Sequence, residues 1–146
     1  MPEAGALLAI DYGTRTAGLA LGHRLTGSAR PLEPIRYRQP DTLLQRIDEV
    51  VRQWRPERIV VGLPLGREGE ETTMSREVRR FVERLSKIAP QCPVDLHDER
   101  MSSQHAAQRF AQRRSEGRAR RRDASRMDSM AAAVILESWM SQHGVA

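Results

Sequence analysis

The stretch from Leu7 to Gly22 constrains the fold of this chain more than any other. A short apolar run, Leu7–Ile10, ends on the carboxylate of Asp11, and a second apolar run, Ala17–Leu21, follows after a turn of small and polar residues. This pattern predicts two buried strands joined as a tight hairpin, in which Gly13 adopts backbone angles closed to other residues. An aspartate at the end of a core strand, beside turn amides, can hold a cation near a phosphate. The alternative is that Asp11 only caps the turn.

Length and composition indicate one globular domain over residues 1–146. Hydrophobic residues make up 39% of the chain and charged residues 29%, a balance that excludes a disordered protein. No apolar run approaches the roughly 20 residues of a membrane helix. The N-terminal apolar run follows no basic segment and is interrupted by Asp11, so we do not expect a signal peptide. Cys92 is the only cysteine, which excludes an internal disulfide and leads us to expect a cytoplasmic protein.

The charge of the chain favours a polyanionic partner. The formal net charge is +5, the sequence pI is about 10.5, and Lys87 is the only lysine among 24 basic residues. Arginine makes two hydrogen bonds to phosphate and stacks on bases, so this composition favours nucleic acid as the ligand. The alternative is a codon bias that enriches arginine without any functional role.

The remaining sequence periodicities predict an α/β fold with a mixed five-stranded sheet flanked by helices. A third strand, Pro31–Arg38, completes an antiparallel meander of three strands. Two further strands, Arg58–Gly62 and Val94–Asp98, each follow a helix and therefore pair in parallel. Apolar residues at helical spacing predict helices over Leu43–Trp54, about Ser75–Ala89, from Ser102 or Ser103 onward, and about Arg126–His143.

Carboxylates fall at strand and helix ends that this topology brings to one edge of the sheet. Asp11 ends the first strand, Asp98 and Glu99 end the fifth, and Asp128 opens the last helix. Three converging carboxylates repel one another unless a cation lies among them, and oxygen ligands suit Mg²⁺ or Mn²⁺. We predict that Asp11, Glu99 and Asp128 are the metal ligands and catalytic residues of a metal-assisted phosphodiester hydrolase. Asp98 is the alternative to Glu99 if the strand ends before Asp98.

Several glycines, arginines and hydroxyl residues are candidates for contact with the nucleic acid. A glycine-containing loop follows the fourth strand, and two arginines flank the acidic positions, where they either clamp phosphates or balance the carboxylates. A basic tract before the last helix either binds phosphate or is a solvated loop. The candidates are Gly13, Arg15, Gly62, Gly66, Arg100, Ser102, Ser103, Arg118, Arg120, Arg121 and Arg122.

Four motifs together resemble the YqgF/RuvX family over nearly the whole chain. They are AIDYGTRTAGLALG at residues 9–22, IVVGLPL at residues 59–65, DERMSS at residues 98–103 and MDSMAAAVILE at residues 127–137. The resemblance implies a ribonuclease H-like fold, acidic positions at Asp11, Glu99 and Asp128, and an endonuclease that processes the 5′ end of pre-16S ribosomal RNA. The family was formerly described as a Holliday junction resolvase, so branched DNA is the alternative substrate. Met101-Ser102-Ser103 departs from the family's Leu-Thr-Thr or Leu-Ser-Thr but keeps the hydroxyl groups.

Two further classes of function compete with a nuclease. Asp-x-Gly-Thr also opens the ATP-binding domains of sugar kinases and actin-like proteins, but those close two such domains around ATP and 146 residues supply one. A non-catalytic nucleic-acid-binding module is disfavoured because all three acidic positions are present. The sequence leaves the oligomeric state open.

Overall fold

A mixed β-sheet forms the centre of the structure, which is a computed structural model that describes residues 3–101 and 127–143. Its strands follow the order β3-β2-β1-β5-β6, and β4 pairs with β2 beside β3. Strands β1 to β4 pair antiparallel, whereas β1, β5 and β6 run parallel. The meander and the parallel pairs are therefore confirmed. The strands are β1 (Glu3–Asp11), β2 (Thr16–His23), β3 (Ser28–Pro31), β4 (Ile35–Arg36), β5 (Pro56–Leu63) and β6 (Val94–Asp98).

The predicted third strand is wrong in detail, because the chain divides it into β3 and β4 and the sheet has six strands rather than five. Both pieces pair with β2, and the backbone N–H of Leu32 still donates to the Leu19 carbonyl at 2.8 Å just after β3 ends. Pro31 and Pro34 lack the N–H that a continuous ladder requires, so pairing stops between the two pieces.

Three helices are described, α1 (Pro40–Trp54), α2 (Thr73–Ile88) and α3 (Met130–Gln142). Helix α2 begins with a reciprocal capping box between Thr72 and Ser75. The predicted helix over Arg126–His143 is wrong at its start, since a 3₁₀ turn (Met127–Ser129) precedes α3. The helix predicted from Ser102 or Ser103 lies outside the described residues. None of the helices within the described ranges is long and apolar enough to cross a membrane.

The sheet is covered on both faces by separate hydrophobic clusters. On one face, α1 and α2 pack on alternate residues of the sheet such as Leu8, Ile10 and Val61. On the other, α3 packs on Leu7, Ala9 and the residues that alternate with the first set. Helix α3 is apolar nearly all round because its first turns lie directly on the sheet, as the sequence predicted.

We predict that Leu136→Ala lowers the free energy of unfolding by about 2–5 kcal/mol, since it empties a fully buried position between α3 and the sheet. Leu25→Ala is the matched control, because Leu25 is 86% exposed and its truncation removes almost no buried surface. Denaturant unfolding of both variants measures the difference. Equal losses of stability would show that α3 contributes little to the core.

Candidate active site

Three neighbouring strands present one residue each to the same face at one edge of the sheet. Strand β1 ends at Asp11, β5 carries Gly62 near its end, and Glu99 follows the last residue of β6. Residues of β1 and β6 that alternate with these positions place them on the α3 side: Ala9 packs in the α3 cluster, and His97 contacts Ser138 of α3. The convergence of Asp11 and Glu99 at this edge is what the sequence predicted from topology alone.

Gly62 provides the space in which the two carboxyl groups meet across the middle strand. A Cβ atom on Gly62 would lie 2.7 Å from Oε1 of Glu99 and 2.6 Å from Cδ1 of Ile135. Any side chain at this position would therefore displace the Glu99 carboxyl group from its place between β6 and β1. Gly62 is itself buried, so the structure gives it a packing use, and its predicted contact with phosphate stays a prediction.

The side chains of Asp11 and Glu99 share a hydrogen bond and a proton. Burial raises the pKa of Glu99 to about 7, and the negative charge of Asp11 and the hydrogen bond to it act in the same direction. Burial also raises the pKa of Asp11, but the hydrogen bond with Glu99 opposes that effect. Below about pH 7, Glu99 is therefore the protonated member, and its hydroxyl group donates the hydrogen bond that the Asp11 carboxylate accepts.

Asp128 stands beside this pair as a third negative charge. It lies in the 3₁₀ turn before α3, its side chain is exposed, and its charge adds to the raised pKa of Asp11. Ser129 occupies the N-cap of α3, so Asp128 is not a helix cap. The predicted cluster of three carboxylates is thus a contacting pair with a third charge nearby.

Two residues that the sequence analysis missed hold Asp128 at the site. The Gly18 backbone on β2 pairs with Asp11, and a Cβ on Gly18 would overlap the carbonyl oxygen of Asp128. The hydroxyl group of Ser129 is fully buried and accepts a hydrogen bond from the Leu19 N–H at 3.0 Å. The 3₁₀ turn therefore lies directly on β2 beside Asp11. The signal for Gly18 in the sequence was a glycine at a position of β2 that faces the apolar helix α3.

The donor set of the pair fits a hard divalent cation. Within residues 3–101 and 127–143, no three His, Cys, Asp or Glu side chains are grouped closely enough to form a preassembled metal site. The fit rests instead on the chemistry of the two side chains. The proton that the pair retains reduces the repulsion between the two carboxyl groups, and a bound cation would have the same effect. Their oxygen atoms are also the ligands that Mg²⁺ and Mn²⁺ prefer. Asp11 and Glu99 can hold such an ion, and Asp128 adds charge beside them.

Asp98 is engaged elsewhere, which favours Glu99 over Asp98 as the ligand. The guanidinium group of Arg100 donates to both carboxylate oxygens of Asp98: Nε lies 3.1 Å from Oδ1 and 2.9 Å from Oδ2, and Nη2 lies 2.6 Å from Oδ2. These bonds lower the pKa of Asp98. Arg100 Nη1 also donates to the Arg67 carbonyl at 3.2 Å. Arg100 therefore balances a carboxylate and ties the 3₁₀ turn after β6 to the loop after β5.

The remaining predicted residues fall into three groups. Gly13 was predicted to need special backbone angles, and this is wrong, because its φ is not positive; the turn needs glycine there because a Cβ would overlap the Thr16 carbonyl oxygen. Arg15 is exposed in the hairpin turn, and Gly66 lies in the loop after β5, where its N–H donates to the Glu70 carbonyl at 2.9 Å. The candidates outside the described residues are Ser102, Ser103, Arg118, Arg120, Arg121 and Arg122.

A buried polar pair behind the site was left without a function by the sequence analysis. The Ser138 hydroxyl donates to the Met101 carbonyl at 3.2 Å and accepts from Nε2 of His97 at 2.9 Å. These bonds fix the end of β6 and the turn that carries Glu99 against α3. His97 therefore fills a hydrogen-bonding position between β6 and α3.

Solved structures with the same arrangement of strands and helices are resolvases. The chain resembles RuvC of Thermus thermophilus in complex with a Holliday junction substrate, with a TM-score of 0.67 and 19% identity over 97% of this chain and 98% of that one. It also resembles the fowlpox virus resolvase in complex with Holliday junction DNA, with a TM-score of 0.58 and 11% identity over 95% and 99% of the two chains. The chain therefore has the ribonuclease H-like fold of these nucleases.

Relatives with a higher sequence identity show the family to which this chain belongs. A model of the RuvX family, described as Holliday junction resolvase, matches residues 5–142. Proteins of Sodalis glossinidius and Xanthomonas axonopodis pv. citri, both named "Putative pre-16S rRNA nuclease", are 39% and 42% identical to this chain over 97% of its length and 98% and 94% of theirs. The chain belongs to the RuvX family and is an enzyme of the nuclease class. The resemblance inferred from the four motifs is confirmed.

The shared proton predicts how the stability of the metal-free protein depends on pH. The pKa of Glu99 is about 7 in the folded state and 4.5 ordinarily, so between these values the native state binds more protons than the unfolded state. Stability therefore falls as pH rises through this interval. In Glu99→Gln the group no longer titrates, and the melting temperature in EDTA should depend less on pH from about 5 to 8. Identical pH profiles for the variant and the wild type would contradict the shared proton.

Proposed function

We propose that this protein is a metal-dependent endonuclease that hydrolyses a phosphodiester bond in processing the 5′ end of pre-16S ribosomal RNA. The observation that carries the proposal is the pair formed by Asp11 and Glu99 at the end of three adjacent strands, in a chain of the RuvX family. The relatives that are about 40% identical carry the name of an rRNA nuclease, which supports RNA as the substrate. We also propose that it acts in the cytoplasm.

The residues of the pair have distinct tasks in this proposal. Asp11, Glu99 and Asp128 would hold Mg²⁺ or Mn²⁺, which supplies an activated water and Lewis-acid stabilisation of the phosphate. With a pKa of about 7, Glu99 gains and loses its proton near neutral pH. Asp11 lies on the most central strand and accepts the hydrogen bond that orients Glu99. Packing of α3 against the sheet closes one side of the pair to water.

Branched DNA is the competing substrate. The solved resolvases that share the fold are bound to Holliday junctions, but likeness at 19% and 11% identity extends to the fold only. Symmetric cleavage of a junction requires two active sites and hence a dimer, whereas cleavage at one RNA end does not. The arginine tract with Arg118, Arg120, Arg121 and Arg122 is proposed to bind the phosphates of either substrate.

We predict that Asp11→Asn, Glu99→Gln and Asp128→Asn each slow Mg²⁺-dependent cleavage by more than about 100-fold, since even outer groups of metal sites are worth 10–100-fold. Double variants should be little slower than single ones, because the carboxylates act as a unit. The substrates are single-stranded RNA with the 16S 5′ flank, an RNA duplex and a four-way DNA junction, assayed in parallel with purified protein.

The control for these variants is Asp95→Asn. Asp95 is a partly buried carboxylate on β6 that pairs with Arg58 at 2.7 Å, and its neutralisation should leave the cleavage rate near that of the wild type. A wild-type rate in any of the three variants would remove that residue from the site. Faster cleavage of the junction than of the RNA would mean that the substrate is branched DNA and not rRNA.

A further inference from the structure

Three exposed arginines line a groove next to the hairpin that carries Asp11. Arg15 lies in the turn between β1 and β2, Arg36 lies on β4, and Arg38 follows β4. They line one groove of about 520 Å³, and none of the described residues that line it is acidic. Arg36 and Arg38 did not stand out in the sequence, because only the pairing of β4 with β2 brings them beside Arg15.

The register of the strands places Thr16 and Arg36 on the face of the sheet that carries the carboxyl pair, while Tyr37 and Thr42 line the groove from the α1 side. Arg36 is the partner of Thr16 on β2, and Gly18, two residues further along β2, is the partner of Asp11. Residues two apart on a strand, and directly paired residues, point to the same face. Gly18 faces Asp128, so Thr16 and Arg36 face that side as well. With about 3.3 Å per residue and about 5 Å between strands, the backbone of Arg36 lies about 10–15 Å from that of Asp11.

These guanidinium groups have no carboxylate partner among the described residues. Six other arginines form ion pairs with carboxylates, at positions 24, 52, 58, 79, 84 and 100. In the part of the chain that the structure describes, no carboxylate pairs with Arg15, Arg36 or Arg38. Three unpaired cations around one groove repel one another and attract a polyanion, and each offers the planar fork that matches two phosphate oxygens.

Tyr37 holds the hairpin turn against β4 and so keeps the three arginines together. Its N–H donates to the Arg15 carbonyl at 3.0 Å, and its hydroxyl group donates to the Gly13 carbonyl. The Tyr37 side chain is 8% exposed, so its ring is not available for a nucleobase to stack on. The groove therefore contacts a ligand through charge and hydrogen bonds, which is suited to the backbone of a nucleic acid and not to its bases.

We propose that the groove lined by Arg15, Arg36 and Arg38 binds the phosphodiester backbone of the substrate strand beside the bond that Asp11 and Glu99 cleave. This inference rests on the proposed nuclease function and extends it by assigning a path to the bound nucleic acid. The nucleic-acid strand runs from the carboxyl pair across the hairpin turn toward β4. Because the contacts are to phosphate, the groove positions the strand without selecting its sequence.

The test is equilibrium binding in EDTA, which separates binding from cleavage. Fluorescence anisotropy with single-stranded RNA compares the wild type with the triple variant Arg15→Gln, Arg36→Gln and Arg38→Gln over a range of salt concentrations. The log–log salt slope should be shallower by about 2, which is about 0.7 for each of three phosphate contacts, and the affinity at low salt should fall at least about tenfold. Changing the same three residues to lysine should preserve most of the slope, because the charges remain.

The matched control removes three exposed arginines that lie away from the carboxyl ends of β1 and β5, by Arg30→Gln, Arg52→Gln and Arg55→Gln. It changes the net charge equally, and its affinity and slope should stay close to those of the wild type. An unchanged slope in the groove variant, or an equal loss in the control, would overturn the groove as a binding site.

Two further outcomes separate this inference from the proposed function. A groove variant that loses binding while the wild type cleaves no nucleic acid would uphold the groove and contradict the nuclease function. A wild type that cleaves RNA while the groove variant binds as tightly as before would contradict the groove alone. Single-stranded DNA and a four-way junction are titrated in parallel, and a change of slope confined to the junction would overturn a single RNA strand as the occupant.

Discussion

The hydrogen bond between Asp11 and Glu99 is the interaction on which the candidate site depends. It forms between two strands that are not neighbours, because β5 lies between β1 and β6. The bond is possible only because Gly62 leaves the space above β5 free for the Glu99 carboxyl group. The site therefore depends on three adjacent strands. Asp11 ends β1 and Glu99 follows β6, and β5 between them carries Gly62, whose lack of a side chain leaves room for the carboxyl groups.

Two further small residues, Gly18 and Ser129, bring Asp128 close to this pair. Gly18 lets the turn with Asp128 lie on β2, and the buried hydroxyl of Ser129 satisfies a backbone N–H that the turn would otherwise cover. Gathering three carboxyl groups in one place destabilises the metal-free fold. Burial of the apolar surface of α3 offsets that repulsion, since nine of the 13 residues of the helix are buried.

Sequence patterns predicted the parts of this structure that depend on local periodicity and chain order. The hairpin, the parallel strands, α1, α2 and the meeting of Asp11 with Glu99 follow from apolar runs and from the rule that helix-linked strands pair in parallel. The break between β3 and β4, the start of α3 and the conformation of Gly13 were predicted wrongly, because prolines and tertiary contacts decide them. The use of Gly62 and Gly18 could not be predicted, since it depends on which atoms of distant segments approach them.

The most direct test of the account is the affinity of the protein for Mn²⁺, measured by titration calorimetry on the wild type, Glu99→Gln and Gly62→Ala. The atoms nearest to a Cβ at position 62 belong to the flexible side chains of Glu99 and Ile135, so Gly62→Ala should fold while the Glu99 carboxyl group is displaced. We predict that both variants bind Mn²⁺ at least about tenfold more weakly than the wild type, and that Asp95→Asn binds it equally well. Wild-type affinity in folded Gly62→Ala and Glu99→Gln would contradict the claim that Glu99, placed across Gly62, forms a metal site with Asp11.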